Sequence, residues 1–241
     1  MAKAEMLAQL QSDILRLQGF KPAGSGLGAL SLGAIDAAFP NRTFPTGAVH
    51  EVVSPASEDL AAASGFLTGL MAGLMRSKGV AVWISTRRTV FPPALKAFGI
   101  KPDRLLFVEV PRERDALWAM EEALKSPALT AVVGELRDIS FTASRRLQLA
   151  VEQSQVTGFI INRAAKLTTT ACVSRWRITS LPSETPDALP GIGLPQWRVE
   201  LLRIRNGRPG VWQVQWQKNR FVVAAHNEQP TTNHEPLSQA G

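Results

Sequence analysis

The side chains best placed to do chemistry form two groups. The first is the loop Ser54-Pro55-Ala56-Ser57-Glu58-Asp59-Leu60-Ala61, which follows an alternating strand and opens a helix. A helix start offers free N–H groups and the positive end of a dipole, so it is the natural phosphate site of an α/β protein. A phosphate-binding loop needs glycines at its tight turns, a lysine for the β- and γ-phosphates and a hydroxyl for magnesium. This loop has no glycine, no lysine and no suitably placed Ser or Thr, and Glu58 and Asp59 would repel an anion. The residues therefore predict no nucleotide hydrolysis, no cofactor and no enzymatic activity.

The second group is basic. Residues 163–220 hold ten basic side chains against Glu184, Asp187 and Glu200, so this window carries the whole net charge of +7 and the rest of the chain balances. The candidates for contact with a partner or with DNA are Arg163, Lys166, Arg175, Arg177, Arg203, Arg205, Arg208, Lys218 and Arg220. Arg203 and Arg205 are two apart on a strand pattern and so share a face, with Arg208 in the adjoining turn. Trp212 and Trp216 are four apart, again on one face, with Trp176 and Trp197 nearby in sequence. Arginine interleaved with aromatic rings suits single-stranded DNA, through phosphate neutralisation and base stacking. It equally suits a protein interface, where Trp and Arg are common anchors. A solvated basic face backed by core tryptophans is the third arrangement.

Other nucleophiles and ligands lack partners. Ser57, Ser64 and Ser85 have no nearby His, and no Gly-x-Ser-x-Gly elbow occurs. Cys172 is the only cysteine, which excludes an internal disulfide and a cysteine-based zinc site. His50, His226 and His234 are scattered, so no metal centre is expected. Glu121 and Glu122 are adjacent on a helix pattern and point to different sides. Cys172, within an apolar run, reads as a small buried hydrophobe. Asp36 reads as a residue that caps or packs locally.

These residues need a scaffold, and the pattern around them is α/β. Strand-like runs at Ala48–Val53, Val80–Ile84, Leu105–Val110, Leu129–Val133 and Val156–Ile161 alternate with helical runs at 57–78, 91–98, 112–125 and 140–154. That alternation predicts a mostly parallel sheet with helices on both faces, and the unbroken apolar strands belong at its centre. Ala171–Ile178, Arg198–Ile204 and Trp212–Trp216 read as further strands, with a loop over Leu181–Pro195. The turn Asn206-Gly207-Arg208-Pro209-Gly210 makes the last two an antiparallel hairpin at the sheet's edge. Leu7, Leu10, Ile14 and Leu17 form the narrow apolar stripe of an N-terminal helix, followed by a flexible connector over 21–28. The stripe suits packing on its own domain or docking on another subunit. The organisation is thus residues 1–28 as helix and linker, 29–225 as core and 226–241 as a disordered polar tail. The 241 residues, 45% hydrophobic, are enough for one substantial core. Polar residues interrupt the apolar positions near the start, and no apolar run approaches the ~20 residues of a membrane span. The expected location is cytoplasmic, with no membrane association.

The run LGALSLGAIDAAFPNRTFPTGAVHEVVSPASEDLAAASGFLTGLM (27–71) resembles the start of the RecA core. FGIKPDRLLFVEVPRERDALWAMEEAL (98–124) resembles the RecA segment after the catalytic strand, and FIINRAAKLTTTACVSRWRI (159–178) its sensor strand and the strand beyond. Together with RVELLRIRNGRPGVWQVQW (198–216), the order of these motifs resembles the ImuA family, over roughly residues 5–225. These are RecA-like proteins of bacterial damage-inducible mutagenesis cassettes. Carried over residue by residue, the resemblance records losses. The Walker A lysine falls on Leu60 and the hydroxyl after it on Ala61. The water-activating acid falls near Arg87, the Walker B Asp on Gly134 beside Glu135, and the sensor Gln on Arg163 behind Asn162. Arg203 and Arg205 fall where RecA carries a pair of lysines that reach across the subunit interface. The resemblance implies a RecA-like pseudo-ATPase that serves as an accessory or scaffold in SOS mutagenesis, the error-prone translesion synthesis of the DNA-damage response. Its implied partners are an ImuB-type Y-family polymerase homologue, RecA and an error-prone replicative-type DNA polymerase. A single-stranded-DNA-binding module and a SulA-like cell-division inhibitor are the alternatives.

Overall fold

The computed structural model describes residues 30–76, 79–183 and 193–223, with positions 6, 9, 10 and 13 near the start. Of the expected docking stripe, Leu10 is helical and half-exposed, whereas Leu7, Ile14 and Leu17 lie outside the described residues, as does the tail 226–241. Nine strands form one sheet: β1 (Val49–Val53), β2 (Ala81–Ser85), β3 (Leu105–Glu109), β4 (Ala131–Leu136), β5 (Thr157–Asn162), β6 (Ser174–Ser180), β7 (Gln196–Ile204), β8 (Gly210–Gln217) and β9 (Arg220–Val223). Their order is β3-β2-β4-β5-β1-β6-β7-β8-β9. Neighbours from β3 to β6 run parallel, and β6 to β9 run antiparallel. This is the α/β architecture, with an antiparallel C-terminal edge, that the sequence pattern predicts.

The central strands β1, β2, β4 and β5 are buried at every residue, because helices cover both of their faces. Helix α1 (Ser57–Met75) lies on the first face with the short 3-10 helices Gly33–Ala38 and Pro92–Phe98. Helices α2 (Glu113–Lys125) and α3 (Phe141–Ser154) lie on the second. Asp36 caps the first 3-10 helix, as expected, by accepting from the Leu32 N–H at 3.1 Å and the Ser31 hydroxyl.

α1 approaches the antiparallel strands closely because it carries glycine where they carry rings. A Cβ on Gly69 would lie 2.6 Å from the Phe221 ring and 3.0 Å from Trp216, and one on Gly65 would lie 3.1 Å from Trp197. Those rings, with Phe66 and Phe98, pack edge-to-face or tilted, and stacked for Phe98 on Trp197, at centroid separations of 4.9–6.3 Å. The C-terminal end of α1 is held by Arg104, whose guanidinium donates to the carbonyls of Met75 and Gly79.

The edge differs from the single hairpin expected. β9 adds another strand, so Lys218 occupies a turn and Arg220 opens a strand rather than closing one. Lys218 and Asn219 have φ of 50° and 58°, the left-handed pair that a two-residue type I′ hairpin requires. Nothing in Lys-Asn announces this as strongly as Asn-Gly would. β7 also carries a bulge opposite Arg175 and Trp176, which lets Leu201 and Ile204 both face the core.

Candidate functional site

In an open parallel sheet, ligands sit beyond the carboxyl ends of the strands. Here that crest is formed by Val53 closing β1 and Ser54 after it, Ser85 closing β2, Glu135 near the end of β4 and Asn162 closing β5. Ser54 donates its N–H to the Asn162 carbonyl at 2.8 Å, which continues the β1–β5 ladder into the loop. The α1 N-cap is Ala56, with no side-chain capping bond, and the first turn carries Glu58 and Asp59. Burial raises the Asp59 pKa, the neighbouring Glu58 charge raises it further, and Arg177 opposes both. The free N–H groups of α1 are thus faced by the chain's own acids. Leu60 and Ala61 fill the next positions. Glu135, the remaining acid of the crest, is buried and accepts from Trp83 Nε1 at 2.8 Å and from the Thr89 hydroxyl. Both donors aim at the same carboxylate oxygen, Oε1.

A second buried carboxylate, which the sequence pattern does not single out, sits two strands away, across β5. Glu51 in β1 is fully buried and accepts from Arg175 Nε at 2.8 Å, Thr170 Oγ1 at 2.7 Å and Asn162 Nδ2 at 2.8 Å. Arg175 also donates to the Thr168 carbonyl and the Thr170 hydroxyl. The network fastens residues 162–170 across the second face of β1 and β6. The only available sequence cue is an acid inside the apolar run Val49–Val53.

The predicted basic residues do not form one patch. Arg175 is committed to Glu51, with 14% of its side chain exposed, so it acts inside the fold. Arg177 and Arg198 share the carboxylate of Glu200 on the half-exposed second face of β6 and β7. Arg203 donates to the Thr170 and Cys172 carbonyls at 2.9 and 2.8 Å, and Arg205 donates to the Ala171 carbonyl at 3.3 Å. Their common face, read from spacing, is therefore real, and both hold the segment that leads into β6. Arg208 is exposed in the β7–β8 turn, whose Arg208 N–H bonds the Ala38 carbonyl. Lys218 and Arg220 stand at the opposite end of β8, about 25 Å away for a strand of eight residues. Arg163 follows β5 at the crest, and Lys166 is exposed in the loop beyond it. Trp176, Trp197, Trp212 and Trp216 are all buried, so they serve the core and not as stacking platforms.

One cleft brings part of the basic group together with residues the sequence pattern leaves out. Phe141 and Arg145 of α3, the segment 169–173, and Arg203 and Arg205 surround a cavity of about 430 Å³. Cys172 lies beneath it, 3% exposed, and burial pushes its thiol up to about 12. It is the inert small hydrophobe expected. Among the described residues no group of His, Cys, Asp and Glu could hold a metal ion, and no helix is long and apolar enough to cross a membrane.

Fold and site together define an α/β protein whose first strand–helix loop carries acids and aliphatic side chains. No family model matches the chain. It is 38% identical to Protein ImuA of Caulobacter vibrioides in two strains, over 210 residues that cover 82% of this chain and 84% of the relative. The chain belongs to the ImuA family.

Proposed function

We propose that this protein is a non-catalytic accessory of damage-induced, error-prone DNA synthesis. It acts as a platform that recruits an ImuB-type Y-family polymerase homologue, with RecA and an error-prone replicative-type DNA polymerase as further partners. Family membership supports the pathway. The observation that carries the non-catalytic role is the loop at the head of α1. Its N–H groups meet Glu58 and Asp59, Leu60 and Ala61 replace the phosphate and magnesium ligands, and Ser54 ties the loop to Asn162. A phosphoryl-transfer site needs positioned cations around the transferred group, and this loop supplies none. With chemistry removed, what the fold offers a partner is surface, including the apolar stripe predicted over Leu7, Leu10, Ile14 and Leu17.

The test is capture of the purified polymerase homologue by the intact chain and by a chain lacking residues 1–20. The deletion abolishes capture if the N-terminal stripe is the docking element; undiminished capture overturns that assignment. Capture of the tubulin-like division protein in place of the polymerase homologue would overturn the pathway.

A further inference from the structure

We propose that the cleft between Phe141, Arg145, Arg203 and Arg205 binds single-stranded nucleic acid, taking a backbone phosphate on its arginines and a base on its phenylalanine. This goes beyond the recruiting role and does not depend on it.

The cavity, at about 430 Å³, is of ligand-pocket size. Its lining contains three arginines and no acidic side chain. Arg203 and Arg205 come from the end of β7 and Arg145 from α3, so two separate elements converge on one space. Arg203 and Arg205 each spend an Nη2 on backbone carbonyls of residues 170–172, which fixes the orientation of both guanidinium groups. The buried Arg203 Nε has no hydrogen-bond partner. Arg145 is tied only to Glu152, at 3.8 Å, with both side chains about half exposed, and such a pair yields easily to a phosphate. Guanidinium forks match phosphate geometry better than point charges do.

Phe141 selects the class of anion. It lies one turn before Arg145 on the same helix face, yet 55% of it is exposed. An exposed ring beside a phosphate-sized cluster of arginines is the combination that stacks an unpaired base. A duplex would leave that ring idle, because its bases are hidden. An acidic peptide would give it no planar partner.

The experiment is fluorescence anisotropy of a labelled oligothymidylate titrated with the full chain at low salt. Binding is expected to weaken with added salt, with a slope of about −0.7 for one phosphate contact on a single strand. Arg145→Glu is expected to weaken binding about ten-fold or more and to flatten that slope. Phe141→Ala is expected to weaken it about five-fold or more. Both residues are exposed, and unchanged thermal midpoints would establish that the variants fold. Lys96→Glu, exposed in the 3-10 helix Pro92–Phe98 on the other face of the sheet, should bind like the parent. Thymidine monophosphate and inorganic phosphate should compete only at far higher concentration than the oligonucleotide. Equal competition by either would make this a free-phosphate site and overturn the proposal, as would equal competition by polyglutamate. So would the absence of binding, or Arg145→Glu binding as tightly as the parent. Capture of the polymerase homologue by Arg145→Glu separates this outcome from the recruiting role.

Discussion

Removing Arg175 should destabilise the fold far more than removing any other arginine of the basic segment. Arg175 is the cation nearest to a fully buried carboxylate, and Glu51 keeps only two neutral donors, Asn162 and Thr170, once it is gone. Breaking a buried pair from one side costs about 3–5 kcal/mol, because the remaining charge is left uncompensated. A urea dependence of about 2 kcal/mol/M would lower the unfolding midpoint of Arg175→Ala by about 1.5–2.5 M. Arg177→Ala is the control. Its pair with Glu200 is 3.8 Å long and 41% of its side chain is exposed, so screening by water leaves an effect within about 0.5 kcal/mol. The double variant Glu51→Gln with Arg175→Met removes both charges together and should recover much of the loss. The assay is equilibrium urea unfolding followed by tryptophan fluorescence, for which the buried Trp176 beside this strand is a natural reporter. Matching midpoints for Arg175→Ala and Arg177→Ala would refute the reasoning and return Arg175 to the surface face.

Further expectations follow from the same geometry. Gly69→Leu should destabilise by at least about 1–3 kcal/mol in the same assay, because even its Cβ meets Phe221 at 2.6 Å; Gly73 does not face these rings. His50 is fully buried, held between the Pro45 carbonyl at 2.7 Å and the Ser174 hydroxyl at 2.6 Å, and burial pushes its pKa down to about 4 from 6.5. The unfolded chain therefore binds the extra proton first, so stability is full above pH 6.5 and falls by about 3 kcal/mol as pH drops towards 4. His50→Gln should flatten that part of the pH–stability curve. Cys172 should react with an aromatic disulfide reagent only on unfolding, so fast labelling of the native protein would contradict its burial.

The fold was legible where burial is symmetric. Val80–Ile84 is an unbroken apolar run, the pattern of a strand covered on both faces. β9 was not legible, because its turn is Lys218-Asn219 and its strand has four residues, too few to show a period. The acids at the head of α1 were readable because the relevant residues are contiguous. The basic face was not, because function there depends on pairings far apart in the chain. Glu51 meets Arg175 across 124 residues, and Arg145 meets the Arg203 and Arg205 cleft across β5, β6 and their loops. Charge counting could find the window 163–220, but not that one of its arginines is consumed inside the fold while another set shares a cleft with α3.

The central claim, recruitment without nucleotide chemistry, is tested most directly by calorimetric titration of the purified polymerase homologue into the full chain, with and without ATP and magnesium. The account predicts a complex of the same affinity in both conditions, and no phosphate released. A complex that forms only with ATP, or ATP turnover by the chain alone, would contradict it.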